Sequence, residues 1–219
     1  MITYDEIRQN ETIRTYIRKA GDSLQALGFT EHAFAHVGIV AENCRYILET
    51  MGYPPRTVEL GQIAAYMHDI GNLVNRSDHS QSGAVMAFRI LDNLGMDAEE
   101  ISDIVTTIGN HDEGTGKPVS PMAAALILAD KSDVRRSRVQ KRPEAGFDIH
   151  DRVNYSVERA SLTINGARTE VCLSLTIDTH YSAVMEYFEI FLQRMLLCRK
   201  AAETLGLHFR LEINDQTLM

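Results

Sequence analysis

The chain has little cysteine, no long apolar run and no excess of positive charge. Its three cysteines, Cys44, Cys172 and Cys198, are scattered and form no CxxC pair. That argues against a thiolate zinc site and suits a reducing compartment. No stretch is apolar for long enough to span a bilayer, and the opening Met1-Ile2-Thr3-Tyr4-Asp5-Glu6 is soon charged, without an apolar signal region. A cytoplasmic protein without a membrane partner is therefore expected. With 30 acidic against 22 basic residues the formal charge is -8. This argues against a nucleic-acid polymer as partner, but leaves room for a small nucleotide. Internal repeats, low-complexity segments and a nucleophile elbow are also missing.

What is present suffices for a full core: 219 residues, of which 44% are hydrophobic. The best boundary is Lys141-Arg142-Pro143-Glu144-Ala145-Gly146, dividing a helical part, 1–146, from a C-terminal part, 147–219.

The most informative motif is His68-Asp69-Ile70-Gly71, which closes the apolar stripe Leu60, Ile63, Ala64, Met67. Neighbouring residues on a helix point about 100° apart and do not normally grip one ion. At a helix end the backbone can splay, and Gly71 is expected to take the left-handed conformation that permits it. Other chelating residues also fall where the pattern asks for a hydrophobe. His36 lies on the stripe of Val37, Val40, Cys44 and Ile47, with His32 further round. His111 continues Ile101, Ile104 and Ile108 behind an expected Asp97/Glu100 capping box, and Asp130 follows Leu126 by one turn on a helix begun by Ser120-Pro121. Burying an unpaired carboxylate costs several kcal/mol, so two of them among imidazoles imply a cation.

Imidazole and carboxylate ligands together suit Fe, Mn, Co or Ni. One ion held by His36, His68, Asp69 and Asp130 would be formally neutral with its ligands. If Asp69 bridges to a second ion on His79 and His111, the site becomes positive and attracts phosphate. Asp112 and His150, each half of another adjacent His/Asp pair, are assigned to no metal.

Over about residues 30–135 this set resembles the HD superfamily of metal-dependent phosphohydrolases, HDIG subtype. The shared elements are His36, His68-Asp69 and the segment Ala129-Asp130-Lys131-Ser132-Asp133. The dinuclear branch adds a His before a Gly-Ala helix and another after a helix, here His79 with Gly83-Ala84, and His111. The resemblance therefore implies two divalent ions and a hydrolase in which a metal-bound hydroxide attacks a phosphomonoester or phosphoanhydride, the substrate expected being a nucleotide. Asn72 and the loop Asn110 to Pro118 differ from the pattern of cyclic-dinucleotide phosphodiesterases, and short HD-type diadenosine tetraphosphatases are the closer parallel. The alternatives are a di-iron HD-type oxygenase and a non-catalytic ligand-sensing module.

Arg76, Lys117, Lys131, Arg135, Arg136 and Arg138 lie near these ligands in sequence and are candidate phosphate contacts. Asp133, three residues past Asp130, is a candidate to orient a ligand or water beside the catalytic Asp69.

Past the boundary the period changes to two. Leu162 and Ile164, then Val171, Leu173, Leu175 and Ile177, predict a hairpin around Asn165-Gly166. A helix over about Tyr181 to Leu205, behind Asp178 or Thr179 as cap, precedes a last strand at Phe209, Leu211 and Ile213. The expected fold is mainly α: a helical bundle with a small C-terminal antiparallel sheet and a long helix. That helix is apolar nearly all round, which predicts burial between sheet and core or in a homodimer.

Overall fold

The computed structural model describes residues 1–139 and 146–219; the proposed boundary at Lys141 to Ala145 lies outside the described residues. The chain opens with two helices that polar side chains start and stop. Thr3 and Glu6 form a reciprocal capping box on α1 (Tyr4–Gln9), and Asn10 then caps α2 (Glu11–Ala26) by accepting from the amides of Thr12 and Ile13. Ile13, Ile17, Ala20 and Leu24 turn one side of α2 inward.

Five further helices and a turn complete the helical part: α3 (Phe34–Thr50), α4 (Pro55–Met67), a 3-10 turn (Ile70–Leu73), α5 (His79–Asn93), α6 (Ala98–Gly109) and α7 (Pro121–Lys131). Two of them are buried almost all round. On α4 everything from Leu60 to Met67 is buried, and on α7 everything from Met122 to Ala129. Both pack against α3 and against each other, so their ends open onto the interior of the bundle. Ser120 caps α7 from its side chain, as expected, with Pro121 in the first turn. The expected box on α6 is only half formed. Asp97 caps through the amide of Glu99, while Glu100 turns away to a bidentate pair with Arg56 at 2.7 and 2.5 Å.

The C-terminal part adds α8 (Ile149–Ser156), strands β1 (Val157–Ile164) and β2 (Glu170–Ile177), α9 (Val184–Thr204), β3 (His208–Ile213) and a two-residue β4 (Gln216–Thr217). The sheet runs β1-β2-β3-β4 and is mixed, not antiparallel throughout: β2 and β3 are parallel, with Val171 opposite Phe209 and Leu173 opposite Leu211. The reason is α9, which lies between them in sequence and carries the chain back to the starting edge, as a parallel crossover must. The helix begins at Val184, later than expected, because Glu186 folds back to accept from the Ala183 amide while Asp178 accepts from His180 instead.

Alternate residues of β2 and β3 are buried, and α9 packs between this sheet and α7 with Tyr187, Phe191, Met195 and Cys198 inside. The hairpin is further tied to α3 by the Ile164 amide, which donates to the Tyr46 hydroxyl. Among the described residues, no helix is long and apolar enough to cross a membrane.

Candidate metal centre

Five helix ends or first turns meet at one point. His36 sits in the first turn of α3, His68 closes α4 with Asp69 after it, His79 opens α5, His111 follows α6 by two residues and Asp130 is in the last turn of α7. His68 is still helical (φ -57°, ψ -35°), and Asp69 breaks away (φ -96°, ψ 3°) into the 3-10 turn. This shift aims both side chains inward. The expected left-handed Gly71 is not found: among the described residues only Gly28, Gly52, Gly95 and Gly206 are glycines with positive φ. Gly71 is instead required by crowding. A Cβ there would lie 2.0 Å from the His79 carbonyl oxygen and 2.5 Å from the Gly83 amide nitrogen. The turn is pressed against the start of α5, which brings His79 to Asp69.

Two carboxylates face the imidazoles. Asp130 Oδ1 lies 3.3 Å from His36 Nε2 and 3.7 Å from His68 Nε2, while Asp69 Oδ2 lies 3.7 and 3.6 Å from the same two nitrogens. The other oxygen of Asp69 faces the opposite way, 3.3 Å from His79 Nε2. His79 Nε2 in turn lies 3.2 Å from His111 Nε2. Asp69 thus stands between two groups of ligand atoms. His36, His68 and Asp130 can hold one ion, and His68, Asp69 and His111 also come within chelating range of one another.

The hydrogen bonding fits cations better than any internal arrangement. Every ring has its Nδ1 engaged: His68 with Ala65 O at 2.7 Å, His79 with Arg76 O at 3.1 Å, His111 with Ile108 O at 2.6 Å, and His36 with Asp133 Oδ2 at 2.7 Å. Carbonyl and carboxylate oxygens only accept, so Nδ1 carries the hydrogen and each neutral ring presents a bare lone pair at Nε2. Two such lone pairs, on His79 and His111, point at each other. The Nε2 atoms of His36 and His68, together with Asp69 Oδ2, are buried without a hydrogen-bond partner. Such a convergence of acceptors is costly unless a positive ion lies among them.

Burial holds the His68 and His111 imidazoles below their ordinary pKa, favouring the neutral, ligating form. His36 is raised despite the desolvation and Arg138 that oppose it, because the carboxylates of Asp130, 3.3 Å from its Nε2, and of Asp133, bonded to its Nδ1, both favour the charged ring. Asp133 would be pushed up by burial, but His36 and Arg138 hold it at about 2. Its carboxylate therefore stays ionised behind His36.

The candidate phosphate contacts separate. Arg76 reaches the cluster, with Nη1 3.4 Å from His79 Nε2 and 3.9 Å from Asp69 Oδ1, and donates to Asn72, which itself donates to Asp69. Lys131 is buried and spends its charge on Asp130 and Glu113, each at 2.7 Å. Arg138 is buried and bonds the backbone oxygens of Glu31 and Asp133. Arg135 pairs with Asp133 and Glu31, Arg136 stacks on Tyr155 and Tyr181, and Lys117 is exposed in the loop before α7.

Other residues lie near the cluster, some of them marked in the sequence and some not. Asp112 Oδ1 stands 3.9 Å from His79 Nε2 at a partly exposed rim. A cavity of about 310 Å³ is lined by Phe29, His32, Arg76 and Arg138, and also by His150, Asp151, Phe191 and Arg194 of the C-terminal part. His32 could be glimpsed from its spacing to His36, whereas α8 and α9 reach the cavity only through the tertiary fold.

The HD domain family model matches residues 33–135. An uncharacterized protein, MJ1020 of Methanocaldococcus jannaschii, is 26% identical over 183 residues, covering 73% of this chain and 70% of its own length. A crystal structure described as a predicted HD superfamily hydrolase, from an uncultured Thermotogales bacterium, aligns with a TM-score of 0.46 at 24% identity, over 57% of this chain and 67% of that one.

Proposed function

We propose, from the match of residues 33–135 to the HD domain family model, that this chain is a phosphohydrolase using two divalent transition ions, Fe, Mn, Co or Ni, to cleave a phosphomonoester or phosphoanhydride of a small molecule such as a nucleotide. His36, His68, Asp69 and Asp130 would hold one ion, and Asp69, His79 and His111 the other. The observation that carries the reading is the pair of opposed Nε2 atoms of His79 and His111 beside an Asp69 whose two oxygens face two ligand groups. Bound ions of this kind acidify water and polarise phosphoryl oxygens near neutral pH.

The chain's own residues supply the rest. Asp133 and the carbonyls of Ala65, Arg76 and Ile108 fix the ring orientations, so little reorganisation is left for the reaction. Arg76 is the basic group nearest the cluster that keeps part of its guanidinium unengaged among the described residues, and it is assigned to a phosphoryl oxygen. Lys131 has the different task of offsetting the buried charges of Asp130 and Glu113. Hydrolysis forms one P–O bond from water as another breaks, with a proton passing to the departing oxygen.

The test is phosphate release from a panel of nucleoside mono-, di- and triphosphates by anaerobically purified, metal-loaded protein. Release that chelator abolishes and added Mn or Fe restores is expected. Oxygen consumption without phosphate release, or no turnover by fully metallated protein, would overturn the reading.

A further inference from the structure

The cavity beside the cluster is built largely outside the matched HD region. Phe29 and His32 precede that region, while His150 and Asp151 on α8, and Phe191 and Arg194 on α9, come from the C-terminal part. Its volume, about 310 Å³, is at the small end for a ligand site and suits a molecule of nucleotide size or below.

The three arginines on its walls differ in what they have left to give. Arg138 is buried and committed to backbone oxygens. Arg76 belongs to the cluster side. The Arg194 guanidinium carbon lies over the Phe191 ring, 4.6 Å from its centroid, and Nε donates to Glu113 at 2.8 Å. Among the described residues it makes no other hydrogen bond or ion pair, so both Nη groups are uncommitted. Glu113 is shared with Lys131, which also binds Asp130. Arg194 is thereby fixed in direction by the Phe191 ring and by the half-buried carboxylate of Glu113, and is linked to the cluster through Glu113, Lys131 and Asp130. A guanidinium so held, with its terminal nitrogens unspent beside a cavity, is suited to an anion. Asp148 and Asp151 also line the cavity, but among the described residues neither is within ion-pair distance of Arg194, and each carboxylate accepts the other's backbone amide at the start of α8.

We propose that Arg194 is a specificity residue that binds a second anionic group of the substrate, so that the protein prefers phosphoanhydrides and bisphosphates to esters with an uncharged leaving group. This rests on the phosphohydrolase reading, with the reacting phosphoryl group at the cluster and the second anionic group in the cavity.

The experiment compares kcat/KM for adenosine diphosphate and for p-nitrophenyl phosphate in the parent, Arg194→Ala and Arg194→Lys, alongside calorimetric titration of the metal-loaded proteins with pyrophosphate. The ratio favouring the diphosphate is expected to fall about ten- to hundredfold in Arg194→Ala. Arg194→Lys, which keeps the charge, should recover part of it at an unchanged Tm. Pyrophosphate affinity should fall in parallel. A ratio and an affinity that are the same in all three proteins would overturn the proposal. If neither substrate is hydrolysed, the phosphohydrolase reading fails by itself, and the titration still decides the role of Arg194: binding lost in Arg194→Ala supports it, and equal binding refutes it.

Discussion

Replacing Gly71 by Ala adds one methyl group at the tightest contact of the site. Its Cβ would stand 2.0 Å from His79 O, 2.5 Å from Gly83 N and 2.6 Å from Ser82 Oγ. Two of these atoms are backbone and cannot swing aside, so the turn after Asp69 must separate from α5. Overpacking typically costs about 1 to 3 kcal/mol, and the backbone obstruction argues for the upper end, about 3. For a chain of this size that corresponds to a fall in Tm of roughly 6 to 12 °C. Because the same movement takes His79 away from Asp69, metal content should fall with stability. Gly38→Ala is the matched control. A Cβ there meets nothing within 4 Å in the interior of α3, so helix propensity should stabilise the protein by about 0.5 to 1 kcal/mol. Thermal unfolding by circular dichroism, with metal analysis of the same samples, reads both. A Gly71→Ala protein that melts within about 2 °C of the parent and retains its metal would refute the crowding argument.

Asp133→Asn removes the charged partner of His36 Nδ1 while keeping nearly the same shape, and should weaken metal binding by about 10- to 100-fold with the fold intact; competition with a chelating dye measures this. The Arg56 pair lowers the pKa of Glu100, so its stabilisation is fully present above the unfolded carboxylate value of about 4.3 and is lost as pH falls through the folded value. Glu100→Gln should therefore reduce Tm at neutral pH and flatten its decline in acid; parallel Tm-against-pH curves for the two proteins would be the contrary result.

Four candidate ligand positions, His36, His68, His111 and Asp130, stood out because each puts a His or Asp where a helical stripe calls for a hydrophobe, a conflict readable from spacing, whereas no stripe marked His79. The reason for Gly71 was not, since a left-handed turn and a close approach both require glycine and only the position of α5 distinguishes them. Glu100 fitted a capping box by local spacing, and a distant partner, Arg56, captured it. Strand periodicity in Phe209, Leu211 and Ile213 identified β3 but held nothing about direction, which follows from how α9 crosses the sheet. Of six basic residues chosen for proximity in sequence, Arg76 meets the cluster with its guanidinium partly unengaged, Lys131 is spent inside, and Arg136 lies against two tyrosines. Arg194, more than sixty residues beyond Asp130, enters through the long helix. Nothing in its neighbourhood on the chain marks it.

The central claim is that Asp69 stands between two metal ions. Metal counting on anaerobically purified protein saturated with Fe or Mn tests it most directly, with the parent compared with Asp69→Ala and with a His150→Ala control. The account predicts about two ions per chain in the parent and in the control, and a loss of both metal and phosphate release in Asp69→Ala. One ion per saturated parent chain, or equal metal content in Asp69→Ala and the parent, would contradict it.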